Sequence, residues 1–129
     1  MLSVSEALSA AVDAIGIGRK GTIDKPYILR APFWTVDTLF YATPKTQSDL
    51  NFVYCIFQRI DWRQKDESTG VPSLSKGAIN GVDIFTTSPA EQQKIGSYFR
   101  ALDSLIDGQV TQIKKLRQIK SAFLEEMFA

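Results

Sequence analysis

A length of 129 residues suits one small domain plus one long element, and 44% hydrophobic with 22% charged residues excludes a disordered, collagenous or disulfide-stapled chain. The absence of histidine removes imidazole-dependent catalysis and zinc sites that need imidazole, while the single cysteine, Cys55, makes no internal disulfide and points to a reducing compartment. Fifteen basic against fourteen acidic residues leave a net charge of +1, so any contact with a polyanion depends on local patches.

No stretch reaches the 18 or so consecutive apolar residues of a membrane span. The first residues, Met1 to Ala14, carry Glu6 and Asp13 and lack a basic leading region, which makes a poor signal peptide. A cytoplasmic location, no membrane and no cofactor are the expectations.

In chain order, residues 3–12 are rich in Ala, Ser and Leu and suit a short helix. Ala14-Ile15-Gly16-Ile17 reads as a strand entering a turn at Gly18-Arg19-Lys20-Gly21. Pro26-Tyr27-Ile28-Leu29-Arg30, Phe33-Trp34-Thr35-Val36 and Leu39-Phe40-Tyr41-Ala42-Thr43 are aromatic and β-branched and read as further strands. A helix is expected over residues 49–60, with Ser48 as N-cap and Leu50, Val53, Ile56, Phe57 and Ile60 on one face. A polar loop fills residues 64–72, residues 74–79 read as one helical turn, and Val82-Asp83-Ile84-Phe85 as a final strand.

The chain divides at about residue 88, giving a front portion over 1–88 and a helix over 89–129. Ser88-Pro89-Ala90-Glu91 is the clearest start signal in the sequence, with Ser at the N-cap, Pro at the first helical position and Glu at the third. Ile95, Phe99, Leu102, Ile106, Val110, Ile113, Leu116, Ile119, Phe123 and Met127 then recur at steps of three and four, which makes one apolar stripe. A helix of this length runs about 60 Å. A globule of under ninety residues is only about 25 Å across. Most of the stripe therefore needs another helix. A break into two antiparallel helices at Asp107-Gly108 is the alternative; the stripe keeps phase across it and no proline follows.

Three blocks of residues resemble the specificity subunit of type I restriction-modification systems. The first is Gly18-Arg19-Lys20-Gly21-Thr22-Ile23 with Lys25-Pro26-Tyr27 and Phe33-Trp34-Thr35-Val36-Asp37-Thr38-Leu39-Phe40-Tyr41. The second is Glu67-Ser68-Thr69-Gly70-Val71-Pro72-Ser73-Leu74-Ser75. The third starts at Pro89 with Glu91-Gln92-Gln93-Lys94-Ile95 and continues through Phe99, Leu102-Asp103, Ile106, Ile113, Leu116 and Lys120. Together they cover nearly everything from Asp13 to Phe128. Such subunits carry two DNA target recognition domains, each followed by a long helix, and the two helices pack antiparallel as a spacer. They dock DNA methyltransferase (modification) subunits and direct methylation and cleavage without a catalytic centre of their own. The resemblance thus implies an α+β fold: a small mixed-strand recognition globule, here partial and single, followed by one long helix that forms an antiparallel coiled coil with a partner. The segment Met1 to Val12 is unlike what normally precedes the first block, so a half-subunit, a truncated product and a fragment are all consistent with the pattern.

Each candidate site has a functional and a plain reading. The glycine-flanked turn with Arg19, Lys20, Gly21, Thr22 and nearby Lys25 suits phosphate contact by backbone N–H groups and cations, or a guanine read by Arg19; it equally suits a solvated hairpin. Ser68, Thr69, Gly70, Ser73 and Ser75 offer hydroxyls to phosphates or base edges, or simply form a connector whose Gly and Pro set the turn. The resemblance favours double-stranded DNA as the ligand of both loops. Phe33, Trp34, Phe40 and Tyr41 read as core rather than stacking platforms, Trp62 and Arg63 as partly exposed, and Cys55 as buried and inert. Lys114, Lys115, Arg117 and Lys120 read as a solvated face in preference to a phosphate track. No carboxylate cluster identifies an enzyme, and Asp66-Glu67 reads as solvated. The expected function is a non-catalytic DNA-recognition and assembly module, homodimeric through Ile95, Phe99, Leu102, Ile106, Val110, Ile113, Leu116, Ile119 and Phe123. The alternative is a truncated interaction module that docks through its helix without binding DNA.

Overall fold

A computed structural model describes residues 2–3, 12–34 and 38–129. It is a small α+β globule followed by one long C-terminal helix. Strands β1 (Leu2–Ser3), β2 (Ala14–Gly18), β3 (Tyr27–Leu29) and β4 (Leu39–Ala42) form an antiparallel sheet in the order β1-β4-β2-β3, with β1 a two-residue addition at one edge. Central β2 pairs Ile15 with Ala42, Gly16 with Tyr41 and Ile17 with Phe40 on one side, and Ala14 with Leu29 on the other.

Residues alternate between the two faces of a strand, so Ala14 and Ile17 serve opposite sides of the sheet. Ile17 and Phe40 join Ile23, Trp62, Leu74 and Ile79 in the larger core. Ala14 and Tyr41 join Phe33 in a smaller cluster, where the Phe33 and Tyr41 rings meet edge to face at 5.4 Å.

Helix α1 (Leu50–Arg59) starts at Asp49, not Ser48: the Asp49 carboxylate accepts from the Phe52 N–H at 2.9 Å. Aspartate and serine are equivalent caps in preference, so one residue of register is undecided until the chain packs. Phe57 and Ile60 of α1 pack on the larger core, and a 3-10 turn (Trp62–Lys65) follows. Trp62 is buried, against the sequence expectation, because its indole N–H finds the Phe57 carbonyl at 2.8 Å and can leave water. Trp34 departs the other way: it is 67% exposed while its neighbour Phe33 fills the core.

The one-turn helix expected over 74–79 is α2 (Lys76–Asn80), capped by the Ser75 hydroxyl. The strand expected at residues 82–85 is not formed. Val82 packs on the core and the segment then runs as an extended lead-in with Ile84 and Phe85 exposed. Alternating apolar residues fit such a segment as well as a ladder. Of the helix expected at 3–12, residues 4–11 lie outside the described residues, while Ser3 is in β1 and Val12 is not helical; residues 35–37 of another expected strand also lie outside them, and Phe33 and Trp34 are not in a strand.

Helix α3 (Pro89–Phe128) starts where the sequence predicts and runs unbroken through Gly108. Ser88 caps it, accepting from the Glu91 N–H at 3.3 Å, while the Glu91 carboxylate accepts from the Thr87 hydroxyl. Among the described residues no helix is long and apolar enough to cross a membrane.

Candidate nucleic-acid interface and helix ridge

The two loops that the sequence singles out, far apart along the chain, are joined edge to edge. Gly21 N–H donates to the Pro72 carbonyl at 2.8 Å, Leu74 N–H donates to the Arg19 carbonyl at 2.8 Å, and Lys20 bridges Ser73. Two glycines permit this. A Cβ on Gly18 would stand 2.0 Å from the Thr22 carbonyl oxygen, and Gly21 takes a positive φ of 84°. Arg19 N–H is fixed to the Thr38 carbonyl at 2.7 Å, and its guanidinium lies 5.6 Å over the Phe40 ring.

Asp66 braces the second loop from below. Its Oδ1 accepts from the Ser73 N–H, the Ser68 N–H and the Ser68 hydroxyl, at 2.8 to 2.9 Å. These donors, the Ser73 N–H foremost, hold its carboxyl below the usual carboxylate range. Asp66 is therefore a structural brace, not the solvated group its sequence context suggests.

A cleft of about 430 Å³ opens where the loops meet, lined by Arg19, Lys20, Glu67, Ser73, Ser75 and Lys76, with Phe40 at its floor. The sequence reading set Glu67 aside as a solvated group and missed Lys76, whose one available signal was adjacency to Ser75. Thr22, Lys25, Thr69 and Gly70 are exposed but do not line this cleft. Ser68 and Ser75 are less free than expected: Ser68 donates its hydroxyl to Asp66 and Ser75 to Glu67, the latter at 3.2 Å. Beside Lys25, Asp24 pairs with Arg63 at 2.7 Å, which lowers the Asp24 carboxyl and raises the Arg63 guanidinium.

The second feature is the junction of α1 with α3. Gln92 is 4% exposed, accepts from the Asp49 N–H at 3.0 Å and donates to the Thr87 carbonyl at 2.8 Å. One turn on, a Cβ on Gly96 would fall 2.4 Å from Asp49 Oδ1 and 2.8 Å from the Phe52 nitrogen. Gln92 and Gly96 thus seat α3 against the start of α1. Gln92 falls in the third block of the resemblance but its packing role is not readable there, and a small residue such as Gly96 on a charged face looks incidental.

Past this junction α3 leaves the globule. Phe99, Leu102, Ile106, Val110, Ile113, Leu116, Ile119, Phe123 and Met127 are all exposed, from 37% at Leu102 to 76% at Met127; Ile95 is half-covered. Such a strip exceeds the few hundred Å² of contiguous apolar surface that monomers usually leave open. Lys114, Lys115, Arg117 and Lys120 are exposed on the same stretch. Cys55 faces the junction half-buried, and burial there, with the charge of Asp103, raises its thiol.

The chain matches no family model and no curated protein. Its chemistry must be read from these two features. Among the described residues no group of three or more Cys, Asp or Glu is placed to hold a metal ion.

Proposed function

We propose that this protein is a non-catalytic DNA-recognition and assembly module of the type I restriction-modification kind. One observation carries the reading: the two loops of the resemblance, remote in sequence, meet at one cleft that presents Arg19, Lys20 and Lys76 together with Glu67 and the half-buried Ser73 and Ser75. Cations held on a rigid turn suit phosphate contact, and Arg19 suits a base edge. The uncovered ridge of α3 then serves assembly. A second copy covers it as an antiparallel helix, and the resemblance adds DNA methyltransferase subunits as further partners in the cytoplasm.

A second reading keeps assembly and drops DNA. It is favoured by the net charge of +1 and by the inward use of the Ser68 and Ser75 hydroxyls. The two readings separate in a titration of random-sequence duplex DNA at low salt. The first expects binding that weakens in Arg19→Ala plus Lys20→Ala, with the slope of log affinity against log salt falling by about 1.8 for two lost phosphate contacts. Absence of binding by the wild-type chain refutes the first reading and leaves the second.

A further inference from the structure

We infer that two copies of α3 pair in one antiparallel register, with Ile106 facing Leu116, Phe99 facing Phe123 and Ile95 facing Met127 of the second copy. This rests on the homodimer reading above and adds what that reading does not contain, namely which residues meet.

The spacing is the first argument. Ile95, Phe99, Leu102, Ile106, Gln109, Ile113, Leu116, Lys120, Phe123 and Met127 alternate strictly by four and three, the repeat of a left-handed two-helix seam. Only Gln109 and Lys120 interrupt it, and at both places the apolar stripe steps one residue aside, to Val110 and Ile119. Those two sidesteps need flanking partners. In the proposed register Val110 lies beside its own counterpart at the two-fold axis, and Ile119 lies beside Leu105. Leu105 sits off the main stripe, is 66% exposed, and has no other role in the fold described above.

Charge is the second argument. Past Glu91, Lys94 and Arg100, the order along α3 is Asp103, Asp107, then Lys114, Lys115, Arg117, Lys120, then Glu125, Glu126. A parallel pair sets the four cations against themselves. The antiparallel register brings Arg117 to Asp103, and Lys114 and Lys115 to the level of Asp107. Both aspartates line a groove of about 430 Å³ between α1, β3 and α3, together with Arg30 and Arg100 and the apolar surface of Ile28 and Tyr54. The flank of the second helix that carries Arg117 and Leu124 passes along the mouth of this groove. In the proposed register Lys120 faces Leu102 and Gln109 faces Ile113; sliding by one heptad would match Gln109 with Lys120 and set Leu102 against Met127 and Ile113 against Leu116. It would also put Lys114 against Lys115 at the centre, set Leu105 against Glu126, and leave Ile95 and Phe99 uncovered.

The register fixes the size of the assembly. Gly96 of one copy lies level with Glu126 of the other, so the two seats of α3 on its globules stand about 45 Å apart at 1.5 Å per residue.

Disulfide trapping tests the register in the full-length chain with Cys55→Ala, which removes the one native thiol. Under mild oxidation, Val110→Cys alone and the pair Ile106→Cys plus Leu116→Cys are expected to give covalent dimers about tenfold faster than Ile106→Cys alone. Rapid linking by both Ile106→Cys alone and Ile113→Cys alone would show a parallel pair and overturn the inference. Linking of Val110→Cys only when Arg117→Cys is also present would show the one-heptad slide and overturn it too. A chain that sediments as a monomer before oxidation overturns the homodimer reading itself, a failure distinct from a dimer with the wrong links.

Discussion

The same substitution at two glycines of α3 should have opposite effects. Gly96→Ala and Gly108→Ala each gain about 1 kcal/mol of helix propensity. At Gly108 an added Cβ meets open space, so the full gain is expected. At Gly96 the methyl would land 2.4 Å from Asp49 Oδ1 and 2.8 Å from the Phe52 nitrogen, closer than contact allows. Those two atoms are the N-cap bond of α1, and α3 is held there by Gln92 as well. Losing the cap costs about 1 kcal/mol. Forcing two packed backbones apart adds about 1 to 3 kcal/mol. After the propensity gain, Gly96→Ala should be destabilised by about 1 to 3 kcal/mol while Gly108→Ala is stabilised by about 1 kcal/mol. Urea unfolding at fixed protein concentration, followed by the fluorescence of buried Trp62, measures both. If Gly96→Ala stabilises as much as Gly108→Ala, the close seat of α3 on α1 is wrong.

Two further outcomes follow from the titrating groups. Asp66 titrates below its ordinary value in the folded chain, so its contribution is present above the unfolded value near 3.8 and is lost as pH falls through the folded one. Acid should therefore release the loop brace, read as faster hydrogen exchange at the Ser68 and Ser73 amides, and Asp66→Ala should show fast exchange there already at neutral pH; protection that survives in the variant would contradict the brace. Cys55 titrates above its ordinary value because it is partly buried against α3 beside Asp103, so its reaction with a disulfide reagent should be slow at neutral pH and climb at alkaline pH. Fast labelling at neutral pH would place the thiol elsewhere.

What the sequence made legible was local chemistry. Ser88, Pro89 and Glu91 set the start of α3, and its periodicity carried through Gly108, because capping and helical spacing depend on near neighbours. The strands β2, β3 and β4 were visible for the same reason. Choices settled by distant packing were not. Trp34 and Trp62 exchanged their expected places because burial of an indole turned on one carbonyl, that of Phe57. Residues 82–85 read as a strand, yet only Val82 found a core to join. At the candidate interface the two loops were visible as motifs, but that Gly21 pairs with Pro72 was not, since nothing local links them. Asp66, Gln92 and Gly96 were invisible as determinants because each acts through a contact made by the tertiary fold.

The central claim is that the ridge of α3 is too long for its own globule and is covered by a second copy. Sedimentation velocity of the full chain measures this most directly, alongside Leu102→Asp plus Ile113→Asp, with circular dichroism as the check that α3 remains helical. The account predicts a dimer for the wild type and a monomer or aggregate for the double variant. An unchanged dimer in the variant, or a stable soluble wild-type monomer across the concentration range, would contradict it.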